Sequence, residues 1–460
     1  PFGTESIPPM MHTDLMRFED IVLAAKYFAP GDVTLARAPG RLDVMGGIAD
    51  YSGSLVAEMP IAAVCCVAAQ RTTEPTIVVR TADAAENGLD AEVAFPLDVC
   101  KSVASLQAYL RSLPKPQKWA GYLAGAVLFA TDAGYTPQGQ GWRLFVSSHV
   151  PVGAGVSSSA AVEVATMRAI CGAAGADMEP MTMARLCQRV ENDLLDAPCG
   201  IMDQVTCVAG IKDALLRLEC QPHTIEGTSR LPEDWAVFGI DSGVKHSVSG
   251  HGYTEARVGA FMGLRMISER AGESFNNYLC RCNIDWYRSL TAADPLPERM
   301  LGADFLARYG GIADTVTKVN PDVTYRVRAA SEHPIYEDRR VRSFIDCVED
   351  GSDEAFKAAG AYMIDAHVSY SACGLGTPET DLLVDLAMEH AITGHVAGAK
   401  ITGGGSGGTV CVLVQRKFAR ALPAEIARLY AEQTGKKPRI ITGSSDGAIH
   451  TPTATITVTT

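Results

Sequence analysis

Residues 401–410 read I-T-G-G-G-S-G-G-T-V, with five glycines in six positions. Glycine at that density weakens any helix or strand, so the segment makes sense where backbone must come close to another group. A flexible linker has a similar composition, but linkers are not usually pinned between A-K-I and V-C-V-L-V. Whatever this chain folds into must hold that segment against something.

A second loop, P-V-G-A-G-V-S-S-S-A-A-V-E-V-A at 151–165, follows the strand pattern W-R-L-F-V-S-S and precedes an alanine-rich helix predicted from 159 to about 174. Glycines at 153 and 155 let backbone N–H groups approach an anion, three serines add hydroxyl donors, and the helix N-terminus adds its dipole. Phosphate suits this chemistry. The loop lacks the lysine of G-x-x-x-x-G-K-[ST], so it is a different kind of phosphate loop. The alternative is that the serines only cap the helix.

Around these loops the pattern alternates α and β. A flexible lead and a helix reach to about residue 28, followed by the β-rich runs V-T-L-A-R-A, S-L-V-A-E-M-P-I-A-A-V-C-C-V-A-A-Q and T-I-V-V-R-T. A helix is predicted over 119–130, and W-A-V-F-G-I-D-S within 231–242 reads as a strand opening a second half. Residues 274–320 are rich in Asp, Pro and Gly and read as an irregular insertion; helical patterns then run up to V-C-V-L-V. There is no internal repeat.

The 460 residues, 47% of them hydrophobic, suffice for two or three domains. A net charge of −13 without any Lys/Arg run argues against nucleic acid or an anionic membrane as partner, so an anion must be bound locally. No apolar run reaches the ~18 residues of a membrane span, and the N-terminus lacks a basic region followed by an apolar one. A soluble, cytoplasmic protein is expected. The thirteen cysteines form no CxxC pair and read as reduced thiols. The start at Pro1 reads as a trimmed chain or a piece of a longer one.

Charge is concentrated in one apolar stretch, 34–55, which carries Arg37, Arg41, Asp43 and Asp50. Arg37 reads as a strand residue reaching solvent. Arg41 reads as either a site residue or one half of a buried pair with Asp43.

Three motifs in order, A-R-A-P-G-R-L-D-V-M-G-G-I-A-D-Y at 36–51, P-V-G-A-G-V-S-S-S-A-A at 151–161 and A-K-I-T-G-G-G-S-G-G at 399–408, resemble the GHMP small-molecule kinases. P-C-G-I-M-D-Q at 198–204 and D-S-G-V-K-H-S at 241–247 resemble the galactokinase branch. The resemblance implies an α+β, two-lobed GHMP kinase fold: an N-terminal α+β lobe (1–228) with a left-handed βαβ unit and a C-terminal ferredoxin-like lobe (229–460). It places the active site in the cleft between them. It implies ATP and Mg²⁺ as cofactors, with a small-molecule sugar and ATP as the partners and oligomeric state left open. Gly153, Ala154, Gly155, Ser157, Ser158 and Ser159 would cradle the phosphates, with Gly404 and Gly405, within 403–407, shaping the cleft from the other lobe. Trp119 would pack on adenine, and Ser159 and Glu191 would hold the metal. Arg41 and Asp203 would flank the reacting hydroxyl, Asp203 as base or orienting carboxylate and Arg41 stabilising the transferring group. On the sugar side the resemblance implies Asp43, Gly47, Ile48, Asp50, Tyr51, Gly200 and Tyr253.

Galactokinases read I-G-E-H-T-D-Y where this chain reads M-G-G-I-A-D-Y. The Glu and His that would grip the hydroxymethyl end of galactose are Gly47 and Ile48, while Asp50 stays. A polar substituent facing Ile48 would lose water without gaining a partner, so a sugar lacking that group is expected. L-arabinose is the galactose ring without it, and M-G-G-I-A-D-Y-S-G-S-L resembles the arabinose-phosphorylating members of the branch. Galactose or a uronate, a catalytically silent sugar sensor on the same fold, and a scaffolding role stay open as alternatives.

Overall fold

The computed structural model describes residues 10–244 and 251–459. The lead expected before residue 10 and the K-H-S end of D-S-G-V-K-H-S therefore lie outside the described residues. The strands are β1 (Gly31–Met45), β2 (Leu55–Thr72), β3 (Thr76–Thr81), β4 (Glu92–Pro96), β5 (Gly141–Ser148), β6 (Ala214–Glu219), β7 (Thr224–Arg230), β8 (Trp235–Asp241), β9 (Val396–Ile401), β10 (Thr409–Gln415), β11 (Arg439–Ile441) and β12 (Ala454–Val458). The helices that matter are α1 (Met10–Ala25), α2 (Val103–Ser112), α3 (Gly121–Asp132), α4 (Ser158–Ala174), α5 (Pro180–Arg189), α6 (Met202–Ala209), α7 (His251–Ala271), α8 (Val327–Asp350), α9 (Asp353–Ala372), α10 (Pro378–Glu389) and α11 (Leu422–Thr434).

Eight strands form the first sheet, in the order β12-β1-β2-β5-β3-β4, with β6 on the early part of β2 and β7 on β6. β3 and β5 run parallel, Ile77 opposite Trp142, so the chain crosses between them through β4, α2 and α3. The glycine loop at 151–157 leaves β5 and enters α4, one residue earlier than predicted. α4 lies on β1 and β2 through Ala160, Ala161, Ala165 and Ala169, all buried; side chains this small let the helix backbone approach the sheet closely. The alanine-rich pattern is thus a packing requirement of the helix that presents the loop.

β9, β10, β8 and β11 form a second, antiparallel sheet in that order. Taken along the chain this is β8, a helical crossover, β9, β10, α11, β11: the β-α-β-β-α-β arrangement of a ferredoxin-like lobe. The 274–320 region holds only short elements, and its Met300–Leu301 pairs with Thr324–Tyr325 under α7 and α8. The expected division at 228/229 falls inside β7, and the chain later returns to the first sheet: β12 pairs along β1 from Gly31–Val458 to Leu35–Ala454.

That return corrects the expectation for Arg37. Instead of reaching solvent it is buried, donating from Nη2 to Thr451 Oγ1 at 3.0 Å and from Nη1 to Ser445 Oγ at 3.4 Å. Burial lowers its pKa, because its hydrogen-bond partners are hydroxyls and the nearby Asp14 and Asp446 offset only part of the lost hydration. No described helix is long and apolar enough to cross a membrane, and the thirteen cysteines are all free thiols.

Removing residues 453–460 should lower the melting temperature by several degrees and promote association, since the edge of β1 loses its ladder. Thermal unfolding with light scattering checks this; an unchanged melting temperature would show that β12 adds no stability.

Candidate active site

β1 carries Arg37, Arg41 and Asp43. Register shifts between Pro39 and Arg41, and again between Asp43 and Met45, bend the strand there, as bulges beside functional sites do. Arg41, only 2% exposed, donates from Nε (3.0 Å) and Nη2 (2.6 Å) to Asp203 Oδ1 and from Nη1 to the Gly155 carbonyl at 2.8 Å. Glu58 Oε2, on β2, lies 3.1 Å from the same Nε, which points its hydrogen at Asp203 instead. Burial alone would lower the Arg41 pKa, but Asp203 and Glu58 outweigh it and raise it. Asp203 sits in the first turn of α6 and is 23% exposed, so it faces the cleft while Arg41 and Glu58 are enclosed.

On the phosphate side, the 153–157 loop is clamped between the lobes. Val156 O accepts from Arg41 N, and Ala154 O accepts from Thr409 Oγ1 at 2.8 Å. From the glycine cluster, Gly403 adopts φ +68° and lies so close that a Cβ there would stand 2.7 Å from Gly155 O; only glycine meets both demands. Gly405 packs on Leu375 and Tyr370 instead, and Gly404 is half-buried beside it. Gly153 and Gly155 are both left-handed, and so is Ser157 (φ 61°), whose hydroxyl is buried without a partner among the described residues. Ser158 opens α4, and Ser159 Oγ donates to Glu191 Oε1 at 3.2 Å.

Glu191 lies on a turn of π-helix, Val190–Leu194, a distortion that recurs at functional sites. Burial, then the nearby Asp203, push its pKa up to about 8. Gln204 Nε2 bridges Glu191 Oε1 (2.9 Å) and Glu163 Oε2 (3.5 Å); Glu163 is fully buried, its pKa also raised by burial and by Glu191. Among the described residues no group of three His, Cys, Asp or Glu could hold a metal. Ser159 and Glu191 offer two hard oxygens, the complement Mg²⁺ takes when phosphates and water fill its other positions. Trp119 is half-buried on a 3₁₀ turn, Lys115–Ala120, with Nε1–H donating to Asp90 O at 3.1 Å.

On the third side, Asp50 opens a 3₁₀ turn, Asp50–Ser52. It is 5% exposed, and its Oδ1 has no partner among the described residues. Burial, then Asp203, raise its pKa to about 7. A Cβ on Gly200 would stand 1.6 Å from Asp50 Oδ2, so the P-C-G turn presses its backbone onto this carboxylate. Tyr51 and Tyr253 meet edge to face at 5.8 Å, and Arg257 lies over the Tyr51 ring. Arg257 also pairs with Asp314 at 2.8 Å and donates to Cys199 O, which ties the 274–320 region to this pocket. Ile48 is buried at φ 52°, a left-handed conformation that strains a β-branched residue.

Two of the sugar-side expectations change here. Asp43 is fully buried, its oxygens engaged by Gly47 N, Lys400 Nζ, Tyr370 Oη and Gly403 N, so it serves the fold rather than facing a ligand. Its ion partner is Lys400, and Arg41 pairs with Asp203 and Glu58 instead. Gly47 is glycine for a packing reason as well: a Cβ would stand 1.8 Å from the Tyr370 hydroxyl and 2.1 Å from Asp43 Oδ2. Glu58, Glu163, Gln204, Arg257, Tyr370 and Lys400 escaped the sequence reading. The one signal for most of them was a lone charge inside an apolar run.

A loop at a helix N-terminus, a ferredoxin-like second lobe clamped on it, and an arginine–carboxylate pair facing the cleft make up the candidate site. The model of GHMP kinases N terminal domain matches residues 122–211. The chain is 39% identical to L-arabinokinase of Arabidopsis thaliana over 91% of its own length, but spans only 46% of that protein. It is 27% identical to galactokinase of Roseiflexus sp. (strain RS-1), covering 90% of the chain and 92% of the relative. In fold it superimposes on Lactococcus lactis galactokinase complexed with galactose with a TM-score of 0.70 at 18% identity, covering 95% of this chain and 99% of that one.

A carboxylate whose pKa is raised in the fold holds its proton more tightly there than in the unfolded chain. Stability is therefore lost as pH climbs from about 4, where the unfolded Asp50 ionises, to its folded value of about 7. Asp50→Asn should be more stable than the native chain at pH 8, by on the order of 4 kcal/mol, and no better at pH 4. Denaturant melts across that range measure it; a gain that does not depend on pH would rule out the ionisation argument.

Proposed function

We propose that the chain transfers the terminal phosphoryl group of ATP to the anomeric hydroxyl of L-arabinose, giving L-arabinose 1-phosphate and ADP. One observation carries the reading: around Asp203, held on Arg41 and open to the cleft, two buried oxygens have no partner among the described residues, Asp50 Oδ1, whose carboxylate feels the Asp203 charge, and Ser157 Oγ, in the loop that Arg41 also holds. A buried polar atom without a partner is costly. A phosphate oxygen at Ser157 and a sugar hydroxyl at Asp50 would supply hydrogen bonds there, which supports a phosphoryl donor at the loop and a polyol acceptor at Asp50.

In this reading Asp50 accepts from ring hydroxyls, and Asp203 orients the reacting hydroxyl and accepts its proton as the oxygen attacks phosphorus. Arg41, its charge secured by two carboxylates, stabilises negative charge on the transferring group. Ser159 and Glu191 would hold Mg²⁺, which when bound screens the phosphate charge. The 153–157 loop and α4 N-terminus orient the phosphates, and Trp119 offers a ring for adenine. For the sugar, the similarity to L-arabinokinase agrees with the local chemistry: no polar side chain projects from 47 or 48, and Tyr370 fills the space beside Gly47. The protein is expected to work as a soluble, cytoplasmic enzyme.

ADP release with Mg²⁺ and ATP against L-arabinose, D-galactose, D-galacturonate, D-glucuronate and L-fucose is the test. Turnover should be strongest on L-arabinose. Preference for galactose would reassign the sugar, and binding without turnover would make the chain a sensor.

Asp203→Asn should lower kcat by about 10² to 10⁴ while leaving sugar affinity nearly unchanged. Single-turnover rates with calorimetric sugar binding separate the two; near-native kcat would remove Asp203 from the chemistry.

A further inference from the structure

The Asp43 carboxylate has no route to solvent, yet it touches both halves of the cleft. Oδ1 accepts from the amide of Gly47 at 3.1 Å. Oδ2 accepts from Lys400 Nζ at 2.8 Å, from the Tyr370 hydroxyl at 3.1 Å and from the amide of Gly403 at 3.2 Å. Lys400 is as fully buried as Asp43, and its ammonium also reaches the Asp43 carbonyl at 3.3 Å. Gly47 precedes Ile48 and Asp50 in the turn that forms the sugar side, and its carbonyl is held by His333 Nε2 at 2.9 Å. Gly403 rests against Gly155 of the phosphate loop, and its carbonyl accepts from Tyr370 Oη at 2.8 Å.

A buried ion pair is a poor way to gain stability, since an apolar pair of the same size often does as well or better. What an apolar pair cannot do is hold two backbone amides from different lobes on one group. We propose that Asp43 and Lys400 are positioning residues that couple the sugar turn to the nucleotide loop, so that filling one pocket pre-orders the other. Neither residue touches the reacting atoms. The ordering works through Gly47 on one side and through Gly403 and Gly155 on the other, and a ligand that settles either loop fixes the shared carboxylate for both. The inference rests on the sugar-kinase reading.

The experiment is calorimetry of L-arabinose binding with and without saturating Mg²⁺ and a non-hydrolysable ATP analogue. In the native chain the nucleotide should tighten sugar binding by about tenfold. Asp43→Asn with Lys400→Met removes both charges together, keeps the volume and leaves one acceptor where two amides compete. There the tightening should fall to near one, while affinity for either ligand alone stays within about threefold. Tyr370→Phe, which bares no charge, is the second variant and should reduce the tightening in part; Lys400→Arg should retain it. An unchanged ratio in both the double variant and Tyr370→Phe overturns the proposal, as does a native ratio of one. A native chain that binds nucleotide but none of the sugars overturns the kinase reading instead.

Discussion

A guanidinium taken out of water must be compensated on every side, and Arg41 imposes that requirement on three segments of the chain besides its own strand. Asp203 comes from α6, Glu58 from β2 and the Gly155 carbonyl from the phosphate loop, while Val156 O accepts the Arg41 amide. Breaking a buried charge pair on one side costs about 3–5 kcal/mol, so these four segments cannot drift apart one at a time. The placement of the loop, of the helix that carries Asp203 and of the bulged strand between them therefore follows largely from the need to enclose one cation. The same enclosure leaves Asp203 as the member of the group with an open face.

Around that centre the carboxylates divide by environment. Glu191 and Asp50 have raised pKa values because they are buried near Asp203, and the charges of Arg41 and Arg257 offset this only in part. Each has a neutral neighbour on the protein side, Ser159 and Gln204 for Glu191 and the backbone of Gly200 for Asp50, and so each is left wanting a ligand. Asp43 is the opposite case, saturated by Lys400, Tyr370 and two amides. Three acidic side chains within one apolar neighbourhood thus do different work, and what separates them is the count of donors already present.

That distinction explains what could be read in advance. The two glycine clusters declared themselves because their spacing has few structural uses, and Arg41, Asp50, Glu191 and Asp203 followed from motifs that carry the family resemblance. Lone charges in apolar runs did not: Glu58 in V-A-E-M-P, Glu163 in A-V-E-V-A and Lys400 in A-K-I-T each look like a strand or helix residue until a partner far along the chain is known. Asp43 and Lys400 are separated by more than three hundred residues, so no local pattern could pair them. Arg37 differs from its expected exposure for a related reason. Its burial is created by the 445–451 segment folding back, which the strand's own sequence does not report.

The pairing of β12 with β1 also bears on the order in which the protein can form. β1 holds Arg41, yet its outer neighbour is made of residues 454–458, so throughout synthesis the strand at the centre of the cleft waits with one edge bare. Domains tend to complete themselves as they emerge from the ribosome. This one cannot close its first sheet until nearly all of its second lobe has been translated, and an incomplete product keeps an apolar strand edge for chaperones to find.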